Sequence, residues 1–176
     1  MHIKSKKSSV RKTSSKTTKS KRTKILCVSH QEDADGISSA ALIKQAFGGD
    51  TILVDYPGMM DVLESLRNDE KLKKLFICDL GLNKQTNDDF VDILTELRKK
   101  RVSITYVDHH DIDPKVIMKL KKIKVKLVHD TSECSSVLVY EMLKKKLSEH
   151  STFIAACAAI TDYMENKSIG SKLLQI

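Results

Sequence analysis

Short runs of β-branched and apolar residues alternate along the chain with longer segments in which apolar residues recur at helical spacing. This alternation is typical of a parallel β-sheet whose strands are joined by crossover helices. It predicts strands over residues 25–29, 51–55, 75–79, 103–108 and 124–129. It also predicts helices over residues 37–47, 60–67, 87–101, 114–123, 133–147 and 152–165. The expected fold class is therefore α/β, with a five-stranded parallel sheet.

Acidic residues and histidines stand where three of these strands end. The first strand runs into the segment His30–Gly36, the third ends at Asp79, and the fourth runs into Asp108–His110. In open α/β sheets, ligands bind beyond the carboxyl ends of the strands. We therefore expect these residues to converge on one site.

The length of 176 residues, with 40% hydrophobic and 31% charged residues, fits one soluble globular domain. No apolar run in the sequence approaches the roughly 20 residues that span a bilayer. The basic N-terminus also lacks the apolar core of a secretory signal. We expect a cytoplasmic protein with no membrane partner.

Positive charge is concentrated at the N-terminus. Residues 1–24 hold ten Lys or Arg and no Asp or Glu, so the rest of the chain, with 21 basic and 23 acidic residues, is slightly acidic. The composition predicts a disordered basic tail over residues 1–23, ahead of a domain over residues 24–176. Two interpretations of the tail stay open, a solvated segment that maintains solubility and a clamp on phosphate backbones. The cations expected to contact nucleic acid are Lys6, Lys7, Arg11, Lys12, Lys21 and Arg22.

A metal site is one explanation for the acidic strand ends. Taken singly, an aspartate there is most often a helix N-cap or a turn former, and a histidine pair in a loop is most often inert. Gathered together, four carboxylates would repel one another unless cations lay between them. Two divalent cations would balance the charge, and oxygen ligands with a minority of imidazole favour Mn²⁺ or Mg²⁺ over Zn²⁺. The candidate ligands are Asp33, Asp35, Asp79, Asp162, His30 and His109, with Asp79 as the candidate bridge between the metals.

The cysteines do not suggest a zinc or disulfide scaffold. Cys27, Cys78, Cys134 and Cys157 lie far apart in the sequence and form no C-x-x-C pair. We expect reduced, mostly buried thiols. No thiolate is expected among the metal ligands, which also favours Mn²⁺ or Mg²⁺.

Four ordered motifs resemble those of the DHH phosphoesterase superfamily, which includes RecJ-type exonucleases, oligoribonucleases, phosphoadenosine-phosphate phosphatases and family II pyrophosphatases. The motifs are Ser29–Gly36, Cys78–Gly81, Asp108–His110 and Ile160–Tyr163. The resemblance covers nearly everything from Lys24 to the C-terminus. It implies a Rossmann-like sheet of five parallel strands with helices on both faces, carrying two Mn²⁺ or Mg²⁺ ions per chain.

The resemblance also implies individual metal-binding roles. One metal would be held by His30 and Asp33, the other by Asp35, His109 and Asp162, and both by the bridging Asp79.

Four further residues are given roles toward the substrate or the histidines. His110 would contact the scissile phosphate. Asp108 would orient the histidines by hydrogen bonding to them without itself binding a metal. Ser132 and Ser135 resemble the Ser/Thr-rich entry to a helix in the family, where their hydroxyls would bind a phosphate. A plain capping box over the same two serines is an equally good interpretation.

The leading hypothesis for function is a metal-dependent phosphodiesterase that hydrolyses short or single-stranded nucleic acid by two-metal activation of water. A nucleotide phosphatase or pyrophosphatase of the same family stays open. So does a catalytically weak nucleic-acid-binding or scaffold subunit. The family's second, smaller domain, which grips substrate, is not found in the sequence. We therefore expect a homo-oligomer, or a further subunit that supplies this domain. A third expectation is that the chain is a gene fragment.

Overall fold

The computed structural model describes residues 23–167 and 169–175. Five strands form one sheet: β1 (Lys24–His30), β2 (Asp50–Val54), β3 (Leu72–Cys78), β4 (Ser103–Asp108) and β5 (Lys126–His129). The strand order is β2-β1-β3-β4-β5, and every neighbouring pair is parallel. This confirms the predicted α/β fold class.

Seven α-helices accompany the strands in the described part of the chain. They are α1 (Ala34–Phe47), α2 (Tyr56–Ser65), α3 (Asn87–Lys99), α4 (Pro114–Lys122), α5 (Ser135–Leu143), α6 (His150–Thr161) and α7 (Gly170–Leu173). Short 3₁₀ turns follow α2 at Leu66–Asn68 and α5 at Lys144–Lys146.

The sheet separates two apolar cores. One core contains residues of α2, α3 and α4, and the other contains residues of α1, α5 and α6. Strand residues alternate between the two, so that Leu75 and Ile77 enter the first core while Phe76 and Cys78 enter the second. Helices therefore cover both faces of the sheet, which explains why the central strands read as continuous apolar runs.

The helix boundaries differ from the predicted ones where a cap was overlooked. Asp33 caps α1 by accepting a hydrogen bond from the Gly36 N–H, so this helix begins three residues before the predicted start. Asp55 caps α2, and Pro57 sits in the first turn, where a proline needs no N–H partner. The predicted start of α2 at residue 60 was therefore late.

Left-handed backbone explains two other differences. Lys124 has φ 60°, which a regular strand does not allow, so β5 begins at Lys126 and not at residue 124. Tyr163 has φ 56° and α6 ends at Thr161, four residues before the predicted end. The four-residue helix α7 was not predicted.

The basic tail is outside the part of the chain that this structure covers. Residues 1–22 are not described, so the predicted disorder and the predicted nucleic-acid contacts of the tail stay predictions. No helix among the described residues is long and apolar enough to cross a membrane. All four cysteines are free, and three of them are buried, as expected.

Gly36 allows the first turn of α1 to lie against the end of β1. A Cβ atom at Gly36 would come within 2.4 Å of the His30 carbonyl oxygen, which is backbone and cannot rotate away. Ser29 strengthens the same contact by donating from its hydroxyl to the Gly36 carbonyl oxygen at 2.7 Å. The glycine of the first motif is therefore required by packing.

We predict that Gly36→Ala lowers the free energy of unfolding by about 2 kcal/mol or more, because the new methyl group overpacks the strand end. Gly58→Ala is the matched control. It also lies in the first turn of a helix, but its Cβ would meet only a Val54 methyl group at 3.1 Å. Urea denaturation of both variants is the measurement, and equal losses of stability would contradict this account of Gly36.

Candidate metal centre

The candidate site lies at the carboxyl edge of the sheet, where the strand order reverses. The chain moves from β1 outward to β2 and then returns to β3 on the other side of β1. Ligand sites of open α/β sheets lie at such a switch point. The first two motifs follow β1 and β3, so the topology alone brings them together.

Asp79 occupies the centre of the site. It follows β3, is only 1% exposed, and has φ 56°, a left-handed conformation that is uncommon outside glycine. Its Oδ2 lies 3.8 Å from His30 Nδ1, and its Oδ1 lies 3.4 Å from His109 Nε2. The Asp79 carboxylate therefore lies between the two histidines.

A first group of donor atoms surrounds one oxygen of Asp79. One atom each from His30, Asp33 and Asp79 lies within 4.8 Å of the others. His30 Nδ1 is 2.7 Å from Asp33 Oδ2, while Asp33 Oδ1 caps α1. The other ring nitrogen, His30 Nε2, is buried and has no hydrogen-bond partner among the described residues.

A second group lies on the other side of Asp79. His109 Nε2 is 4.0 Å from Asp35 Oδ2, and His109 Nδ1 is 3.7 Å from Asp162 Oδ2. Asp162 Oδ2 is buried and accepts no hydrogen bond from any residue that the structure describes. Asp162, at the end of α6, thus places a carboxylate at the same edge of the sheet as the strand ends.

The amino end of α5 holds two buried carboxylates of the site, those of Asp35 and Asp79. The N–H groups of Ser135 and Ser136 donate to the two oxygens of Asp35 at 2.8 and 2.7 Å. The Ser135 hydroxyl donates to Asp79 Oδ1 at 3.1 Å. A helix N-terminus stabilises an anion through such N–H groups. Here that anion is a carboxylate of the chain itself.

The two serines suggested for phosphate binding are therefore placed differently from each other. Ser135 contacts the metal-site carboxylates, and its phosphate-binding role stays a prediction. Ser132 is exposed and donates from its hydroxyl to Asp130 at 2.6 Å. The capping-box interpretation was wrong, because α5 begins at Ser135 with Cys134 as the N-cap residue and has no side-chain cap bond.

The pKa values of the two buried carboxyl groups, Asp35 and Asp79, are shifted in opposite directions. Burial, together with the nearby Asp79, raises the pKa of Asp35 to about 7. Burial also opposes ionisation of Asp79, but hydrogen bonds from His109 and Ser135 hold its pKa below the usual value.

His109 compensates the negative charge with a proton. Burial disfavours its charged form, yet Asp79, Asp162 and Asp35 together raise its pKa to about 9. Without a metal, His109 therefore keeps its proton near neutral pH, while Asp35 is close to half protonated. A bound cation would have to displace those protons, as is general for metal sites.

His110 is held by a chain of buried hydrogen bonds. Its Nδ1 lies 2.9 Å from Asp108 Oδ1, and the other carboxylate oxygen of Asp108 accepts from the Tyr106 hydroxyl at 2.9 Å. Gly81 leaves room for the ring, since a Cβ there would come within 2.9 Å of His110 Cγ. The pKa of His110 is raised, chiefly by its bond to Asp108. Asp108 thus bonds to His110, while no hydrogen bond or ion pair from Asp108 to His109 is found among the described residues. The predicted orienting role of Asp108 stays a prediction.

A thiol is present at the site, contrary to the expectation from the sequence. Cys134 Sγ lies within 4.8 Å of donor atoms of Asp35 and Asp162. Burial and the charge of Asp35 raise the pKa of this thiol, which keeps it protonated. A protonated thiol is a poor metal ligand, so the preference for oxygen and imidazole ligands is unchanged.

The donor set fits a pair of hard divalent cations. It contains four carboxylates and two imidazoles. Among the described residues, His30 Nε2 and Asp162 Oδ2 make no hydrogen bond, although each lies within 4 Å of a group that can carry the opposite charge, Asp55 and His109 respectively. Mn²⁺ and Mg²⁺ prefer such oxygen-rich sites. The six predicted ligand residues thus lie together, although their individual metal roles stay predictions.

Several residues of the site were missed by the sequence analysis. Asp55 Oδ1 lies 3.6 Å from His30 Nε2, and the Tyr56 ring packs on the His30 ring. Asp55 ends the predicted second strand just as Asp79 ends the third, so the rule about strand ends already pointed to this edge. Tyr106 stands two residues before Asp108 on the same face of β4, which strand periodicity also reveals. The N–H groups of α5 left no signal in the sequence.

Comparisons with known proteins agree with this arrangement. The family model described as "DHH family, N-terminal domain" matches residues 24–163. No curated protein sequence matches the chain. Among solved structures, an uncharacterized protein from Helicobacter pylori G27 is similar in fold, with a TM-score of 0.61 and 20% sequence identity.

The match to the Helicobacter pylori structure covers 85% of this chain and 46% of that one. The chain therefore spans about half the length of this solved relative. At this identity the likeness shows the fold alone, whereas the family model extends over all four motifs. Its members are metal-dependent phosphoesterases, and the chain belongs to the DHH family.

Proposed function

We propose that the chain is a phosphodiesterase that hydrolyses short or single-stranded nucleic acid with the help of two Mn²⁺ or Mg²⁺ ions. The observation that carries the proposal is the position of Asp79 between two histidine-containing groups, with His110 beside them. Two metals that share a carboxylate at a separation of about 3.5–4 Å are typical of phosphoryl chemistry. When bound, the metals activate water and neutralise charge on the phosphate.

Some residues of the chain would hold the metals, and His110 would contact the phosphate. One metal would be held by His30 and Asp33, the other by Asp35, His109 and Asp162, with Asp79 shared between them.

His110 is the residue best placed to contact the phosphate. Its Nδ1 is fixed by Asp108, so the Nε2 atom remains for a phosphate oxygen. Its side chain is 40% exposed, against 12% for His109. An oriented imidazole that donates to developing negative charge stabilises the transition state without having to reorganise.

The choice of nucleic acid over a small phosphoester is supported by the basic tail. Ten cations within residues 1–24 suit a polyanion, because bound Lys and Arg release counterions from the phosphate backbone. The complete set of ligand residues favours an enzyme over a scaffold subunit. The proposed substrate is nucleic acid. The proposed partner is a second copy of the chain, or a further subunit that adds substrate contacts.

We predict that His110→Ala lowers kcat/KM for a short oligonucleotide or a phosphodiester analogue by about 100-fold or more, because one transition-state donor is lost. Both metals should stay bound, as measured by calorimetric titration with Mn²⁺. His109→Ala is the comparison variant and should lose both metal affinity and activity.

Loss of metal by His110→Ala to the same extent as by His109→Ala would show that the roles of the two histidines are exchanged. Hydrolysis that persists in excess EDTA would contradict metal dependence altogether. Analysis of the products, nucleotides or inorganic phosphate, separates the phosphodiesterase from the phosphatase alternative.

Deletion of residues 2–23 tests the role of the tail. It removes nine of the ten cations, so binding to a single-stranded oligonucleotide should weaken and its logarithmic salt dependence should flatten by up to about six. Hydrolysis of a small phosphodiester should not change, since β1 separates Lys24 from the site by roughly 20 Å. Filter binding across a salt series is the measurement, and equal salt slopes would leave the tail as a solubility element.

A further inference from the structure

Tyr56 lies at the rim of the metal centre but belongs to none of the four motifs. It directly follows Asp55, at the carboxyl edge beyond β2, and is the first residue of α2. The residue is 41% exposed, so its side chain is accessible to a ligand at the rim of the site.

The Tyr56 side chain contacts two histidines of the site at once. Its ring packs on the His30 ring with 4.9 Å between centroids and meets the His110 ring edge-on at 6.4 Å. Its hydroxyl oxygen lies 3.4 Å from His110 Nε2. The hydroxyl is thus next to the one nitrogen of His110 that Asp108 does not hold.

The backbone of Tyr56 is fixed before any ligand arrives. Its N–H donates to Asp55 Oδ1 at 2.7 Å, and Pro57 restricts the next residue of the helix turn. The contact with His30 limits the ring as well. A donor held in this way costs little further ordering when it binds a ligand.

Two polar atoms 3.4 Å apart can both hydrogen-bond to one further oxygen atom, provided that this oxygen lies to the side of the line that joins them. Burial and the negative charge of Asp79 raise the pKa of Tyr56 to about 12, so its hydroxyl stays protonated and can donate at neutral pH. We propose that the Tyr56 hydroxyl and His110 Nε2 form a paired donor site for a single phosphate oxygen of the substrate. This inference rests on the proposed phosphoesterase function and adds a substrate-contacting residue to it.

The ligand class is a tetrahedral phosphoryl group, and no bond is made or broken by Tyr56. In the absence of phosphate, the Tyr56 hydroxyl and His110 Nε2 are hydrogen-bond partners of each other at 3.4 Å. When phosphate binds, one of its oxygens accepts from both. A developing negative charge on that oxygen strengthens both bonds, so Tyr56 contributes to kcat as well as to binding.

The test is Tyr56→Phe, which removes the hydroxyl and keeps the ring on His30. Inorganic phosphate is the binding probe, titrated by calorimetry into the full chain in the presence of Mg²⁺. The variant should bind phosphate about tenfold more weakly, the equivalent of one hydrogen bond, and should lose about tenfold in kcat/KM for a phosphodiester analogue. Its affinity for Mn²⁺ should not change.

Tyr140→Phe is the matched control. Tyr140 lies in α5 outside the four motifs, and its hydroxyl is 2.9 Å from the Thr152 hydroxyl, so the substitution removes a phenol oxygen that contacts no proposed ligand. This variant should equal the wild type in phosphate binding and in hydrolysis.

Three results would overturn the inference: equal phosphate affinity in Tyr56→Phe and wild type, no phosphate binding by the wild type, or equal losses in both tyrosine variants. Loss of Mn²⁺ affinity by Tyr56→Phe would also overturn the inference, since Tyr56 would then act by positioning His30. If the wild type binds phosphate through Tyr56 but hydrolyses no phosphoester, the proposed function fails and the paired donor site stands.

Discussion

Repulsion among carboxylates at one edge of the sheet is the constraint on which the structure of this site depends. Asp35 and Asp79 are almost fully buried next to each other, where charges interact strongly and water cannot screen them. The chain reduces the repulsion with local donors: the amino end of α5 for Asp35, and His109 and Ser135 for Asp79. Even with those donors in place, the pKa of Asp35 is about 7, and the carboxylates raise the pKa of His109 to about 9. The negative charge that remains can be balanced by protons or by metal ions.

The same constraint explains the arrangement of the surrounding fold. Because β1 and β3 are neighbours at the switch point, the loops that follow them meet at Asp79. Gly36 and Gly81 allow the close approach of backbone and ring that this meeting requires. Glu133, also buried, accepts hydrogen bonds from the N–H groups of Ile169 and Gly170, which ties the segment after α6 to the turn before α5. Elements distant in sequence are thus joined around one cluster of charge.

Much of this could be predicted from the sequence, and the part that could not has physical reasons. Alternating apolar runs indicated the five strands, and the rule that parallel strands share a carboxyl edge indicated that Asp79 would lie near His30 and His109. The support of Asp35 by backbone N–H groups has no residue signature, because any residue other than proline supplies an N–H. Proximity of Cys134 was missed because it depends on how α5 packs and not on cysteine spacing. Tyr56 was missed because the second helix was predicted to begin at residue 60, which left this residue in a loop.

The central proposal is that Asp79 would hold two metal ions in one centre. Electron paramagnetic resonance of the full chain loaded with two equivalents of Mn²⁺ near pH 8 tests it most directly. Two ions held about 3.5–4 Å apart by a shared carboxylate should give the spectrum of an exchange-coupled pair, and Asp79→Asn should abolish the coupling. A six-line spectrum of isolated Mn²⁺ at full loading, or saturation at one ion per chain, would contradict the account.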